Sequence, residues 1–510
     1  MSEAWNEGYF TDLDYTPGYY RDISPVFLRF CLLLRGYVAT ESIESSHCEL
    51  GFGQGVSINI HAASNPGTWY GNDFNPLHAA FANELARASG CGAQLSDDSF
   101  QEMLSREDLP KFDSIVLHGI WTWVNPSNQK TIVEFSKKFL KPGGMLYVSY
   151  NCLPGWSAHA PLRHLFAVHN RFAGEPANPV KRINNAITFA KNLFEAQPAY
   201  AKAVSGVEQR LEKVADQNRQ YLAHEYFNRD WNCMYFSDVV AALEPAKVEF
   251  ACTAVPLDTV DVVNLSKEGI DFLQQIENPI LKEQIRDYFV NQQFRKDIYL
   301  RGAKRISMTE QRERLFAQRF LLIQHADDVS MKANGAAGEI QLHQELYKPL
   351  IEHLASGSHE PKSIRRLVEL MPQETYPKIA QAIVVLVGLG AVNPCQDESS
   401  AKKTKKTSDA LNLYICEQAQ FGTSLNALAS PVMGCGIGVE RINQLFLLGM
   451  HRKQKDLIGF VWNVLRANGD VLLKDGKPIQ SVEGNMAELT EKLARFQEKM
   501  LPIYKAAGIA

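Results

Sequence analysis

The chain has 510 residues, 45% hydrophobic and 22% charged, an ordinary globular composition at a length that allows about three domains. Its 53 basic and 57 acidic residues leave a net charge of −4, which excludes a global basic field of the kind that grips nucleic acid or anionic lipid. The opening MSEAWNEGYFTDLDY is acidic where a signal peptide carries positive charge, and no apolar run approaches the ~18 residues of a membrane span. A cytoplasmic protein with no membrane span and no nucleic-acid partner is therefore expected.

The aromatic-rich YTPGYYRD leads into a helical pattern over 22–36 that could lie over a sheet edge as a lid. From 46 to 150, short apolar runs (SHCELGFG, TWYGNDF, FDSIVLHG, MLYVSY) alternate with amphipathic stretches. Strands alternating with helices predict a parallel, doubly wound, Rossmann-like α/β sheet. After Tyr150 the strand signals thin out. Ile183, Ile187, Ala190 and Phe194 recur at helical spacing, and a mainly helical middle domain is predicted. The Gly- and Ala-rich ANGAAGE (333–339) marks a boundary, and SIRRLVELM with YPKIAQAIVVLVGLGAVNP beyond it suggests a winged-helix-like arrangement. ESSAKKTKKTSD (398–409) reads as a mobile loop. The layout is thus 1–158 with its lid, 159–334, and 335–510. Nine cysteines occur without a C-x-x-C pair, so neither a disulfide framework nor a zinc site is indicated.

The strongest local signal is Glu49-Leu50-Gly51-Phe52-Gly53-Gln54-Gly55, between a predicted strand and a predicted helix. Glycines there let the chain turn sharply and let a ligand approach the backbone, next to free amides of a helix N-terminus. A dinucleotide fingerprint would want glycine at 56, which is Val56. The G-x-G-x-G form after an acid resembles motif I of class I S-adenosyl-L-methionine (AdoMet) methyltransferases. Asp73, with Phe74 beside it, closes the second strand, where a carboxylate can accept two ribose hydroxyls. Asp97, Asp98 and Ser99 follow the third, in position for an adenine edge. A second glycine cluster, Gly434-Cys435-Gly436-Ile437-Gly438, lacks a clear preceding strand and is read as a loop or helix N-terminus. His159, His164 and His169 lie five apart, which spreads the rings around a helix instead of onto one metal-binding face, and no metal is expected.

Trp121 and Trp123 follow the fourth strand, and Tyr150, Asn151 and Trp156 follow the fifth. Both segments leave the carboxyl edge of the sheet, where a ligand on the glycine loop must lie. Aromatic rings with a few amides and hydroxyls suit an alkylammonium substrate. Over nearly its whole length the chain resembles bacterial AdoMet-dependent methyltransferases that carry a methyltransferase regulatory domain, which include the rickettsial protein-lysine methyltransferases. The resemblance rests on YTPGYYRDISP, ELGFGQG, GNDFNP, FDSIVLHGIWTWV, LKPGGMLYVSYNCLPGW, HEYF and DYFVNQQFRKDIYL.

That resemblance implies AdoMet as cofactor, with Gly51, Gly53 and Gly55 at its methionine part, Asp73 on ribose, Asp98 or Ser99 near adenine, and His118 alongside. It also implies that Tyr19, Tyr20 and Arg21 close the site. The acceptor expected from it is a protein lysine entering over Tyr150, Asn151 and Trp156, with Trp121 in the aromatic wall. No strong general base is visible, which fits an amine acceptor. The alternatives are a small-molecule methyltransferase and a non-catalytic AdoMet-binding scaffold, with the outer domains serving contacts or a homodimer.

Overall fold

The computed structural model of the chain describes Tyr9 and residues 17–40, 44–173 and 178–510; Tyr15 and Thr16 of the expected lid lie outside the described residues. The organising element is a seven-stranded sheet. Its strands are β1 (Ser46–Leu50), β2 (Thr68–Asn72), β3 (Gln94–Ser96), β4 (Phe112–Leu117), β5 (Leu140–Asn151), β6 (Glu249–Thr253) and β7 (Phe294–Leu300). The order across the sheet is β3-β2-β1-β4-β5-β7-β6. The first five are parallel, while β7 runs antiparallel to both β5 and β6.

The sequence explains these elements locally. β4 is buried at every position, as a central strand covered on both faces must be, and its FDSIVL is nearly continuous in apolar residues. Asn-Pro opens two of the covering helices. In α3 (Pro76–Ser89) and α4 (Pro126–Phe139), the preceding Asn75 or Asn125 accepts a backbone N–H with its side chain, and proline takes the first helical position. Two further helices, α1 (Pro25–Leu34) and α2 (Val56–Ser64), complete the inner layer.

The expected boundary at 158 cuts this sheet. β6 and β7 fall inside the segment read as helical, because EFACT and FRKDIYL carry polar and charged residues that weaken their strand pattern. Helices do fill the interval between β5 and β6: α5 (Ala160–Phe172), α6 (Pro179–Glu195), α7 (Val207–Asp216) and α8 (Arg219–Phe227). They share a small core in which Ile183, Ile187, Ala190 and Phe194 meet Leu162, Leu211 and Leu222, as their spacing predicts.

The C-terminal region does not fold apart. A three-stranded antiparallel sheet orders Lys362–Ser363, Arg319–Leu322 and Val392–Pro394, backed by helices Gln344–Ala355, Ile364–Leu370 and Tyr376–Gly388. Its central strand comes from ahead of 335, and ANGAAGE is a hairpin, so a free-standing winged-helix domain from 335 is not what the chain builds. One apolar core runs from Phe27 and Leu32 of α1 through Tyr147 and Ile298 of the sheet to Leu350 and Ile383. A second joins Val56 and Leu85 of α2 and α3 to Leu411, Ile415 and Tyr504.

The expected loop 398–409 is the first half of α10 (Glu398–Gln418), capped by Asp397. Its lysines face solvent, while Thr407 and Ser408 donate to the Ala63 carbonyl of α2. A helix that docks through hydroxyls has no apolar stripe to betray it. The second glycine cluster is also redefined: Cys435–Gly438 is a strand paired with Ala427–Ser430. Among the described residues no helix is long and apolar enough to cross a membrane.

Candidate active site

At the carboxyl edge of the sheet lies a cavity of about 470 Å³, bounded by the glycine loop, the turns after β2, β4 and β5, and the inserted helices α7 and α8. Of the residues singled out in the sequence, Tyr20, Glu49, Gly51, Phe52, Gly53, Asp73, Phe74, Ser99, His118, Asn151 and Trp156 line it.

Gly53 adopts φ 58°, and a side chain built on it would meet nothing within 4 Å. The open space is the cradle a ligand would fill, and only glycine adopts this backbone without strain. Asp73 accepts from the Gly53 amide at 2.9 Å and the Asn75 amide at 3.1 Å, and lies 3.0 Å from His78 Nδ1. These contacts fix its carboxylate at the end of β2 and leave lone pairs for a ligand. Glu49 is buried in the same wall, and burial with the nearby charge of Asp73 pushes its carboxyl up to about 8. His118 stacks on Tyr20 at 3.8 Å and holds Tyr147 Oη at 2.9 Å from its Nδ1. Burial pulls it down to about 4, so it is neutral at pH 7.

The other expected residues lie off the cavity. Gly55, at φ 71°, is the N-cap of α2, and a methyl there would collide with Ala82, so it serves helix packing. Tyr19 points away: its hydroxyl accepts from the Gly436 amide and its ring lies against His61. Arg21 donates to the Val387 carbonyl at 3.0 Å and covers Phe27. Asp97 is exposed, and Asp98 is paired with Arg106 at 3.3 Å; the Asp98 carbonyl accepts from Asn72 Nδ2, which leaves Ser99 as the lining residue of that turn.

Trp121 is wholly buried in the core beneath α4. Tyr150 is equally buried, and its hydroxyl donates to Asp297 on β7 at 2.7 Å. The alternation of β5 decides this. Tyr147, Ser149 and Asn151 share the face that reaches the cavity, whereas Tyr150 projects to the opposite one. Neither Trp121 nor Tyr150 reaches an acceptor in the cavity, contrary to the expectation for both.

The wall facing the glycine loop comes from residues the motifs did not single out. Arg210 of α7 lies 5.3 Å from the ring of Trp156, and Tyr221, Glu225 and Tyr226 of α8 line the cavity beside them. Arg163 stacks on Trp231 at 4.6 Å and donates to the Glu225 carbonyl at 3.1 Å, fixing α8 to α5. Among the described residues the Glu225 carboxyl has no hydrogen-bond partner, and burial raises it to about 7 despite Arg163 and Arg210. The sequence signal for this wall is HEYF (224–227), an acid set among aromatic residues.

The strand order, with antiparallel β7 inserted between β5 and β6, defines a class I methyltransferase fold. PKMT2 from Rickettsia typhi, in complex with AdoHcy, shares that fold at a TM-score of 0.71 and 16% identity, over 97% of this chain and 99% of its own. A family described as "Predicted methyltransferase regulatory domain" matches residues 218–301, which hold α8, β6 and β7. Protein sll1526 of Synechocystis sp. is 37% identical over 99% of this chain and 100% of its own length, and the chain belongs to the same family as that protein. RP789 of Rickettsia prowazekii is 24% identical over 54% of this chain and 49% of its own.

Proposed function

We propose that the protein is an AdoMet-dependent methyltransferase whose acceptor is an amine, a lysine side chain of another protein. The observation that carries this is the pairing of two walls across one cavity. The glycine loop, Glu49 and Asp73 form a cofactor wall, and Trp156, Tyr221 and Glu225 form an aromatic, acidic wall suited to an alkylammonium group. All nine cysteines are free thiols, which suits the reducing cytoplasm.

Bound AdoMet supplies a methyl group on a sulfonium, with a thioether as leaving group. Gly53 would let it lie against the backbone, Asp73 would accept its ribose hydroxyls, and Glu49 would face its positive charge. The chain must then align the acceptor and exclude water. A lysine with pKa near 10.4 is neutral about once in a thousand at pH 7.4, a handicap of about 4 kcal/mol. Contrary to the expectation that no strong general base is present, Glu225, held up to about 7 by burial, is matched to take the ammonium proton on a carboxylate oxygen at neutral pH. Trp156 and Tyr221 keep that amine in a water-poor aromatic slot, and Asn151 offers an amide to orient it.

The test is radiolabelled AdoMet added to the purified protein with cell lysate, followed by fractionation. Label in acid-stable methyl-lysine of protein is the expected result. Label confined to small molecules would overturn the lysine acceptor, and no transfer in any fraction would overturn the enzyme reading.

A further inference from the structure

A second cavity, of about 270 Å³, lies on the far side of β7 from the first, between that strand, α9 (Pro279–Val290) and the hairpin at Asn334–Ala336. Four carboxylates line it, Asp258, Glu283, Asp287 and Asp297, against two guanidinium groups, Arg286 and Arg295. Both arginines are already engaged. Arg295 is ion-paired to Asp297 at 2.9 Å, Asp287 at 2.5 Å and Glu283 at 3.3 Å. Arg286 pairs with Asp261 at 2.8 Å and approaches Glu283 at 3.7 Å.

What is missing is a donor at one oxygen, Oδ2 of Asp287, since Arg286 Nη1, also without an aligned hydrogen bond, is held at Asp261. Asp287 is 1% exposed and lines the cavity, yet its Oδ2 has no hydrogen-bond partner among the described residues. The Asp258 carboxyl, on the same lining, is only half-buried. A buried carboxylate oxygen without a donor is costly, and a half-satisfied polar network is the place where a missing partner shows. Burial drives Asp287 up to about 7 and Asp258 up to about 6, the response of carboxylates short of positive charge. Among the described residues no three ligating side chains are placed to hold a metal ion, so the shape favours N–H donors over an ion.

We propose that this cavity is a binding site for a small organic cation, an alkylammonium or guanidinium group that completes the hydrogen bonding of Asp287 and lies beside the half-buried carboxylate of Asp258. Its place in the fold gives it reach. Asp297 on its lining accepts from Tyr150, and the carbonyl of Gln292, also on the lining, accepts from the Gly155 amide at 3.0 Å and from Cys152 Sγ at 3.2 Å. The segment so held, 150–156, is the one that presents Asn151 and Trp156 to the larger cavity. One stretch lines both cavities: Gln293 and Phe294 reach the first, and Gln292 and Arg295 on either side of them reach the second. The cationic site lies largely within the residues matched as a regulatory domain.

The test is calorimetric titration of the full chain with putrescine and with agmatine, with sodium chloride at equal ionic strength as the blank. It needs no turnover, so it stands or falls apart from the methyltransferase reading. Saturable one-to-one binding of at least one amine is expected, weakened tenfold or more in Asp287→Asn and in Asp258→Asn. Should Asp287→Asn fail to fold, Asp258→Asn, at the more accessible side, carries the comparison alone. Nα-acetyl-lysine amide separates the two sources of such a cation. Binding as tight as that of putrescine assigns the site to a basic side chain of a protein, and weaker binding assigns it to a free amine. Heats no different from the salt blank for all three compounds would overturn the proposal, as would unchanged affinity in the folded variants.

Discussion

In the proposed function Asp73 is the residue on which cofactor binding would turn, because three contacts hold its carboxylate against the glycine loop. Asp73→Ala should weaken AdoMet binding by about 1.5 to 3 kcal/mol, roughly 10- to 150-fold, measured by calorimetry. Glu49 adds a pH dependence. Held up to about 8 in the free protein, it must lose its proton to face a cationic ligand, so AdoMet affinity should rise with pH up to about 8. Titrations in buffers of different ionisation enthalpy should detect proton release, and Glu49→Gln should abolish it. For Tyr150 the buried bond to Asp297 sets the expectation: Tyr150→Phe should lower stability by about 1 to 3 kcal/mol in a thermal melt and leave AdoMet affinity unchanged. Glu49, Gly53 and Asp73 were legible because glycine and carboxylate at strand ends have few other uses. Tyr150 was misplaced because a one-residue step along a strand reverses its face, and sequence does not say which face meets the ligand.

At the scale of elements, α7 and α8 convert an open sheet edge into an enclosed site. In the proposed reaction their contribution would be concentrated in Glu225, and Glu225→Gln should reduce kcat by about 10²-fold near neutral pH. The informative readout is the pH profile: the acid limb near pH 7 should flatten in the variant, whereas a merely structural defect would lower the profile at every pH. The helical pattern of 183–194 was legible, since apolar residues recur at one turn's spacing. The strands β6 and β7 were not, because Arg295, Lys296 and Asp297 interrupt the apolar run where they serve buried ion pairs. The stretch 398–409, the first half of a helix, reads as a loop for the converse reason, that its docking face is Thr404, Thr407 and Ser408, residues that look solvated in sequence.

For the whole molecule, buried titratable groups set a stability optimum. Burial holds His47 and His61 down at about 3 and His118 at about 4, against an ordinary 6.5. Below 6.5 the unfolded chain takes up protons that the folded one refuses, so stability falls as pH falls. Glu225 and Asp287 are held up at about 7 and Glu49 at about 8, by burial. Above their ordinary range the folded chain keeps protons that the unfolded one has released, and stability falls as pH rises through 7 and 8. Thermal melts across pH 5 to 9 should therefore be nearly level between about 5 and 6, where the two sets oppose each other, and decline above that, and Asp287→Asn should flatten the alkaline side. The sheet has a consequence for synthesis as well. The twelve residues of β5 are made long before Phe294–Leu300, the strand that covers their outer edge. At about 5 to 20 residues per second, roughly 7 to 30 s pass between the two on the ribosome. For that interval the nascent chain exposes an unpaired apolar strand edge, a template for association with its neighbours. Products cut short between 151 and 294 should therefore carry the glycine loop and Asp73 intact and still collect in the insoluble fraction, as sedimentation of such truncations would show.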